Sequence, residues 1–93
     1  MMLFSVKIEG VSCWPYLIPG KKYFATNVLK PKIGNFIVFK NPKNQKEIFV
    51  KKVKTIQGNS YFVEGIVSFA TSSKDFGQVH KNLTLGKILF SFA

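Results

Sequence analysis

The sequence predicts an all-β protein, a single domain over residues 1–93 built as a folded sheet or small barrel of about six strands. No segment shows the sustained 3.6-residue repeat of apolar side chains that marks an amphipathic helix. Alanine, the strongest helix former, occurs only three times. β-Branched and aromatic residues dominate instead, with 10 phenylalanines among 93 residues. A hydrophobic content of 46% is sufficient for one compact core at this length.

The predicted strands follow from alternating apolar residues and from the turns between them. Residues 2–9 follow the period-two pattern of apolar side chains that is typical of a half-buried strand. Pro19-Gly20 predicts a turn, and residues 57–60 predict the tight turn of a hairpin. Residues 41–46 form a polar connection without core content, and residues 67–75 a Ser/Thr-rich loop. The predicted strands are 2–9, 22–26, 36–39, 48–56, 61–63 and 83–92.

The charge of the chain indicates an anionic partner. Its formal net charge is +10, all of the basic residues are lysines, and only four residues are acidic. Such a balance favours a polyanion, and we take an anionic membrane surface as the candidate partner. Arginine supplies the bidentate contacts to guanine and phosphate, so its absence disfavours nucleic acid as a partner. We predict a monomer.

Several classes of site are excluded by composition. The single cysteine, Cys13, rules out an intramolecular disulfide and any multi-cysteine metal site. The single histidine, His80, lies in a polar stretch and is expected at the surface, which leaves no basis for a Ser-His-Asp triad. We therefore predict no metal and no cofactor. No apolar run approaches ~20 residues, and the first six residues are too short for a signal peptide. We expect a soluble chain, cytoplasmic or peripheral to a membrane.

The candidate nucleophile is Ser12, in a bend after the first strand. Gly10 adopts backbone angles that other residues avoid, and Pro15 prevents a regular strand or helix from continuing. Taken alone, this stretch favours an ordinary solvated serine where a strand ends. A serine hydroxyl becomes a good nucleophile only when a base removes its proton. Without a suitable histidine, a lysine with a lowered pKa is the remaining base.

The candidate base is Lys51. It lies between Phe49 and Val53 on one face of its strand, whereas Lys52 and Lys54 share the other face. This alternation favours Lys51 as the lysine that points into the core, and desolvation there would lower its pKa. Because acidic residues are few, we expect no carboxylate close to its amine. Two solvated strand lysines are the alternative interpretation.

The order of these two stretches resembles the signal peptidase I family of Ser-Lys peptidases, including short soluble members similar to maturation peptidases. Residues 10–17 resemble the family's Gly-x-Ser-Met-x-Pro-Thr-Leu box, and residues 49–53 its Tyr-Val-Lys-Arg-Val box. Residues 31–42 are similar to its Gly-Asp-Ile-Val-Val-Phe segment. Residues 63–77 resemble a degraded closing box, and residues 85–88 the strand that follows it. The resemblance covers nearly the whole chain and has the family's order and spacing.

The resemblance assigns roles to individual residues. It implies that Ser12 is the nucleophile and Lys51 the general base, with Thr71 or Ser72 holding the lysine amine and Lys52 standing where the family has a supporting arginine. Cys13 replaces the family's methionine beside the scissile bond, and Gly10 stands where some members carry a hydroxyl donor. Together with Pro15, these two positions are the expected substrate-binding residues. Further departures from the family pattern are Lys21 and Asn35 for turn aspartates, and Ile66 and Val67 for an Asp-Asn pair.

The implied activity is cleavage of an extended peptide, a signal peptide or propeptide, after small residues at the first and third positions before the cut. An edge strand would bind that peptide by strand addition. The alternatives are a catalytically weak or inactive relative of the family, and a basic β-barrel that binds nucleic acid through aromatic residues and lysines. A self-cleaving repressor-type Ser-Lys domain is disfavoured, because only eleven residues precede Ser12 and leave no room for a DNA-binding domain.

Overall fold

The computed structural model describes residues 3–9, 13–65 and 77–91, and within them the protein is all-β. Seven strands form one antiparallel sheet, together with one short 3-10 helix at Lys81–Leu83. The predicted fold class is therefore confirmed. The strands are β1 (Leu3–Lys7), β2 (Lys22–Thr26), β3 (Phe36–Asn41), β4 (Asn44–Gln57), β5 (Ser60–Glu64), β6 (Val79–His80) and β7 (Thr84–Ser91).

The sheet has the strand order β1-β2-β7-β3-β4-β5-β6. β7, the last of the described strands in the chain, lies between β2 and β3 and pairs antiparallel with both. It therefore joins the β1-β2 pair to the meander of β3, β4 and β5. β1 lies at one edge of the sheet and β6, which has only two residues, at the other.

The strand boundaries differ from the prediction mainly in two places. The count is seven rather than about six, because the two-residue strand β6 carries no alternation that a sequence pattern could reveal. β4 begins at Asn44, inside the stretch predicted as a polar connection. There Asn41, which is buried, donates from Nδ2 to Oε1 of Glu47 at 3.0 Å and accepts at Oδ1 from the Lys43 backbone N–H. Side-chain hydrogen bonds thus stabilise a hairpin end that has no apolar content.

The folded sheet buries two separate hydrophobic clusters, one on each side of β3 and β4. Alternate residues of β4 point to opposite sides, so that Val53 belongs to the first cluster and Val50 packs against the second. The first cluster consists of Ile37, Phe39, Val53, Tyr61, Val63 and Val79, with Phe49 and Leu83 packed on it. The second consists of Ile8, Cys13, Leu17 and Tyr23, with Val6, Phe36, Val50 and Ile88 packed on it.

Close contact between β2 and β7 depends on Gly86. A Cβ atom at this position would lie 2.6 Å from the carbonyl oxygen of Thr26, which is shorter than real Cβ contacts. Gly86 also lies at the register shift in the β3–β7 pairing, where Val38 pairs with Gly86 and Phe39 with Thr84. Glycine is therefore required at this point of the sheet.

Two predicted turns are present where the sequence places them. Gly58 has φ +58° between β4 and β5, and Gly20 has φ +83° in the turn before β2. His80 is exposed, as expected, and its Nδ1 accepts a hydrogen bond from the Asn82 backbone N–H at the start of the 3-10 helix. The predicted loop at 67–75 lies outside the described residues. None of the described residues belongs to a helix long and apolar enough to cross a membrane.

Candidate active site

The described residues contain part of the predicted site. Ser12, Gly10, Thr71 and Ser72 lie outside them, so their positions are not described. The other four predicted site residues, Lys51, Lys52, Cys13 and Pro15, are described. The geometry below is therefore that of the predicted base and of the residues that flank the predicted nucleophile.

Lys51 is a buried lysine, 5% exposed, in the middle of β4. It lies on the same face as Phe49 and Val53, the face that carries the first hydrophobic cluster. Its Nζ atom is 5.8 Å from the centroid of the Phe49 ring. Burial among apolar side chains disfavours the charged form of an amine. The inward orientation that the alternation predicted for this lysine is thus present.

Lys52 and Lys54 differ from Lys51 in environment. Lys52 is half-buried on the opposite face, directly across from Phe36 in β3 and Glu64 in β5. Lys54 is exposed. Of the three lysines in this part of β4, only Lys51 combines burial with apolar neighbours on its own face.

Cys13, the residue bonded to Ser12, is fixed against the strand that carries Lys51. It is 3% exposed, and its Sγ donates a hydrogen bond to the carbonyl oxygen of Val50 at 3.2 Å. Its own carbonyl accepts from the Leu17 N–H at 2.9 Å, which closes a turn, and Leu17 is itself buried. The residue after the predicted nucleophile therefore contacts the residue before the predicted base, although 37 positions separate them in the sequence.

A pocket of about 240 Å³ lies where these elements meet. One wall is formed by the end of β1 and the residues after it, and the other by the first half of β4. The lining residues are Val6, Lys7, Ile8, Glu9, Cys13, Ile48, Phe49, Val50 and Lys51. Glu9 and Cys13 both line it, so the chain on either side of residues 10–12 borders the same pocket as Lys51.

Sequence reasoning missed two polar residues that line this pocket, Lys7 and Glu9. The place of Glu9 in the sequence, three positions before Ser12, is the signal that could have identified it. The expectation that no carboxylate lies close to the Lys51 amine stays a prediction.

Pro15 does not line this pocket. It is exposed, and its peptide bond with Trp14 is cis. The pocket geometry therefore does not support the expected role of Pro15 in substrate binding, whereas it does support the expected role of Cys13.

The pocket lies beside an edge of the sheet. β1 pairs with β2 on one side and with no other described strand, and Ile8 continues that pairing through backbone bonds with Gly20 and Lys21. The other side of β1 is an edge to which an extended peptide could add through main-chain hydrogen bonds.

Exposed apolar side chains project from the turn after Cys13. Trp14, Tyr16 and Ile18 are 53%, 65% and 45% exposed, and the exposed Lys21 and Lys22 follow them in the sequence. The turn itself is held in place, because the Ile18 N–H donates to the Tyr23 hydroxyl at 2.9 Å. Aromatic residues next to lysines are typical of surfaces that contact an anionic membrane interface.

Among the described residues, no group of three or more histidine, cysteine, aspartate or glutamate side chains is arranged to hold a metal ion. No family model matches the chain, and no curated protein matches it either.

Proposed function

We propose that the protein is a serine endopeptidase of the signal peptidase I type, in which Ser12 is the nucleophile and Lys51 the general base. The observation that carries the proposal is the burial of Lys51 in a pocket that is also lined by Cys13, the residue bonded to Ser12. Ser12 is bonded directly to Cys13, and the Cys13 thiol donates to the backbone of Val50, the residue before Lys51. The resemblance of the two sequence boxes supports the same assignment.

In the proposed mechanism, the neutral amine of Lys51 accepts the proton of the Ser12 hydroxyl while the hydroxyl oxygen attacks the peptide carbonyl. The tetrahedral intermediate collapses to an acyl-enzyme, and the leaving amine takes the proton from Lys51. The same amine then activates a water molecule that hydrolyses the ester. The backbone N–H of Ser12 would stabilise the oxyanion.

This mechanism requires that Lys51 be uncharged at the working pH. A lysine in water has a pKa of ~10.4, and burial lowers that pKa by as much as several units. The 5% exposure of Lys51 supports this requirement, because it indicates the desolvation that the mechanism needs. Lys52 and Lys54, which are more exposed, lack it.

The proposed substrate is an extended peptide with small side chains at the first and third positions before the cut. The outer edge of β1, which pairs with no described strand other than β2, supports main-chain pairing with such a peptide. The pocket of about 240 Å³ beside Lys51 supports a small side chain near the reacting carbonyl. In this proposal Thr71 or Ser72 orients the lysine amine, as the family resemblance implies, and Lys52 supports the site indirectly.

The proposed partner besides the substrate is an anionic membrane surface. Its contact would be the exposed Trp14, Tyr16 and Ile18 with Lys21 and Lys22, which adjoin Cys13 in the sequence. A peptidase docked in this way would meet substrates that are themselves held at the membrane.

The test is cleavage of a peptide with alanine at the first and third positions before the cut, with and without vesicles of anionic lipid. We expect Ser12→Ala and Lys51→Ala to abolish cleavage and Lys52→Ala to reduce it only partly. The wild-type rate should rise with pH through an apparent pKa well below that of free lysine, and Lys52→Ala should keep that profile. Circular dichroism would show that the variants remain folded.

Full activity in Ser12→Ala would refute the proposal. Loss of activity in Lys52→Ala with full activity in Lys51→Ala would show that the base assignment is displaced by one residue. If the wild-type chain cleaves no peptide, the alternative of a catalytically inactive relative would be supported. Salt-sensitive binding of a single-stranded oligonucleotide by that chain would favour the alternative of a nucleic-acid-binding β-barrel.

A further inference from the structure

A second pocket, which we call the Thr84 pocket, lies between the loop that follows β2 and the start of β7. Its volume is about 330 Å³, and its described lining consists of residues 27–31, Tyr61, Lys81, Thr84 and Gly86. None of these residues lines the pocket beside Lys51. A neighbouring pocket of about 270 Å³ shares Asn27 and Thr84 with it. Pockets of this size are suited to small organic molecules.

Thr84 lines both of these pockets and carries a buried hydroxyl group. Its Oγ1 atom has no hydrogen-bond partner among the described residues. The backbone of the residue is fixed, because its N–H donates to the Lys81 carbonyl at the end of the 3-10 helix. A buried hydroxyl without a partner is costly, and most such groups in folded proteins are paired. A polar group of a ligand would give this hydroxyl a partner.

Tyr61 contributes a second hydroxyl to the lining of the Thr84 pocket. The residue is 7% exposed and belongs to the first hydrophobic cluster, so its position in β5 is set by the core. Burial raises the pKa of Tyr61 above its ordinary value of 10.0. The phenol is therefore protonated throughout the neutral pH range, in which it can donate a hydrogen bond to an oxygen acceptor.

The charged groups in the described lining of the Thr84 pocket are both positive. They are the amines of Lys30 and Lys81, which are exposed, and the described lining contains no carboxylate that would oppose them. Apolar surface comes from Val28, Leu29 and Pro31 in the same loop as Lys30. A ligand with a negatively charged group and an apolar body matches this combination.

The backbone around the pocket favours a carboxylate over a phosphate. Proteins typically hold phosphate with several backbone N–H groups, at a helix N-terminus or in a glycine-rich turn. Here the Val28 N–H already donates to the Thr26 hydroxyl at 3.2 Å. The Lys81 N–H donates to the Asn59 carbonyl at 2.8 Å, and the Thr84 N–H is bonded as described above. A carboxylate needs fewer donors, which two hydroxyls and a lysine amine can provide.

We propose that the Thr84 pocket binds a small organic anion, a carboxylate on a short apolar body. The carboxylate accepts hydrogen bonds from the hydroxyls of Thr84 and Tyr61 and pairs with the amine of Lys30 or Lys81. The apolar body packs on the loop that follows β2. This binding site uses residues other than those of the proposed active site, and it does not depend on peptidase activity.

The probe is 4-phenylbutyrate, titrated at pH 7 into ¹⁵N-labelled wild-type protein and followed through the backbone amide resonances. We expect saturable shifts that are concentrated at residues 27–31, Lys81 and Thr84. The neutral amide of the same acid should bind at least tenfold more weakly, because it lacks the negative charge. Inorganic phosphate should also bind at least tenfold more weakly, because it lacks the apolar body.

Thr84→Val removes the hydroxyl and keeps the shape of the side chain. We expect this variant to bind 4-phenylbutyrate about tenfold more weakly than wild type. The Tm of the ligand-free variant should be unchanged or higher, because the lost hydroxyl has no partner among the described residues. Thr55→Val is the matched control, since Thr55 is exposed on β4 and does not line the pocket. If Thr84→Val does not fold, Tyr61→Phe replaces it, with a similar loss of binding expected.

A double substitution, Lys30→Gln with Lys81→Gln, tests the role of charge. It should weaken the binding of 4-phenylbutyrate at least tenfold and leave the binding of the neutral amide unchanged. Lys43→Gln with Lys46→Gln is the control, because these two lysines are exposed at the β3–β4 turn and lie outside the described lining. The control should bind both compounds as wild type does.

The absence of saturable shifts at residues 27–31 and Thr84 would overturn the inference. Equal binding of the acid and the amide would overturn it by showing an apolar pocket without charge selectivity, and equal binding of phosphate would show a non-specific group of lysines. Wild-type affinity in Thr84→Val, or in Tyr61→Phe if only that variant folds, would refute the role of the hydroxyls. If the protein binds the probe and cleaves no peptide, the peptidase proposal fails while this inference stands.

Discussion

Replacement of Lys51 by methionine should abolish activity and at the same time stabilise the fold. Methionine has nearly the same length and shape as lysine and carries no charge, so it suits the apolar surroundings of this 5% exposed position. A residue kept for its chemistry in a hydrophobic site is expected to reduce stability, because a polar group without water around it is costly. The stability of this variant therefore reports on why a lysine occupies the position.

The size of the effect follows from the burial of the amine. A buried polar group costs roughly 1–3 kcal/mol, and the amine of the 5% exposed Lys51 destabilises the native state by an amount of this order at pH 7. Loss of a polar contact of the amine would offset ~1 kcal/mol of the gain. We expect Lys51→Met to be more stable than wild type by about 1 kcal/mol at pH 7, or roughly 4–8 °C in Tm.

The same reasoning fixes the sign of the pH dependence. Between the lowered pKa of the native state and ~10.4, the unfolded chain binds more protons at Lys51 than the native chain does, so wild-type stability rises with pH in this range. Lys51→Met lacks this group, so the difference between the two proteins should shrink as the pH approaches 10. Urea unfolding followed by circular dichroism at pH 7, 8.5 and 10 measures it.

Lys52→Met is the matched control, since Lys52 is half-buried on the opposite face of the same strand. Its replacement should change stability by less than ~0.5 kcal/mol at every pH. A Lys51→Met protein less stable than wild type at pH 7, or a difference that does not vary with pH, would refute the argument. Lys51 would then be a structural residue whose amine is charged and well paired in the native state.

Two further predictions concern the sheet. Gly86→Ala should destabilise the protein by ~1–3 kcal/mol, because the new Cβ would lie 2.6 Å from the Thr26 carbonyl oxygen, which belongs to a neighbouring strand and cannot move away freely. Thermal unfolding measures this loss, and an unchanged Tm would contradict the close approach of β2 and β7. Burial raises the pKa of Tyr61 above 10.0, so the tyrosine of the unfolded chain ionises first as the pH rises, and the stability of the protein should fall above about pH 10. Tyr61→Phe should lose this pH dependence in urea unfolding. It should also remove the late step from the tyrosinate absorbance titration.

Local alternation was sufficient to predict most of the fold. β2 has the predicted bounds, and the phase of Lys51 follows from Phe49 and Val53 on either side of it, because successive residues of a strand point to opposite faces. The exceptions depend on contacts that have no local pattern. The start of β4 is stabilised by Asn41 and Glu47, and β6 exists only because Tyr61 and Ser60 offer a partner strand.

The pocket was less predictable than the strands. The candidate base could be chosen from its neighbours on one strand, but the contact between Cys13 and Val50 joins positions 37 apart and becomes visible only when the sheet is folded. The same holds for Glu9, which follows β1 in the sequence and lines the pocket together with residues of β4. Sequence alone identified which residue types could form the site and on which face of a strand each one lies. The positions of the strands and turns relative to one another depend on packing in the second hydrophobic cluster, which has no local sequence pattern.

The place of β7 in the sheet has a consequence for synthesis of the protein on the ribosome. The β1-β2 pair and the β3-β4-β5 meander are both made before the strand that connects them, and no described strand of one unit pairs directly with a strand of the other. A nascent chain that stops short of Thr84 would hold two separate sheet fragments with exposed strand edges, and such edges promote association with other chains. The sheet can therefore be completed only after β7 has been made, and until then the edges of β2 and β3 that pair with β7 lack their partner strand.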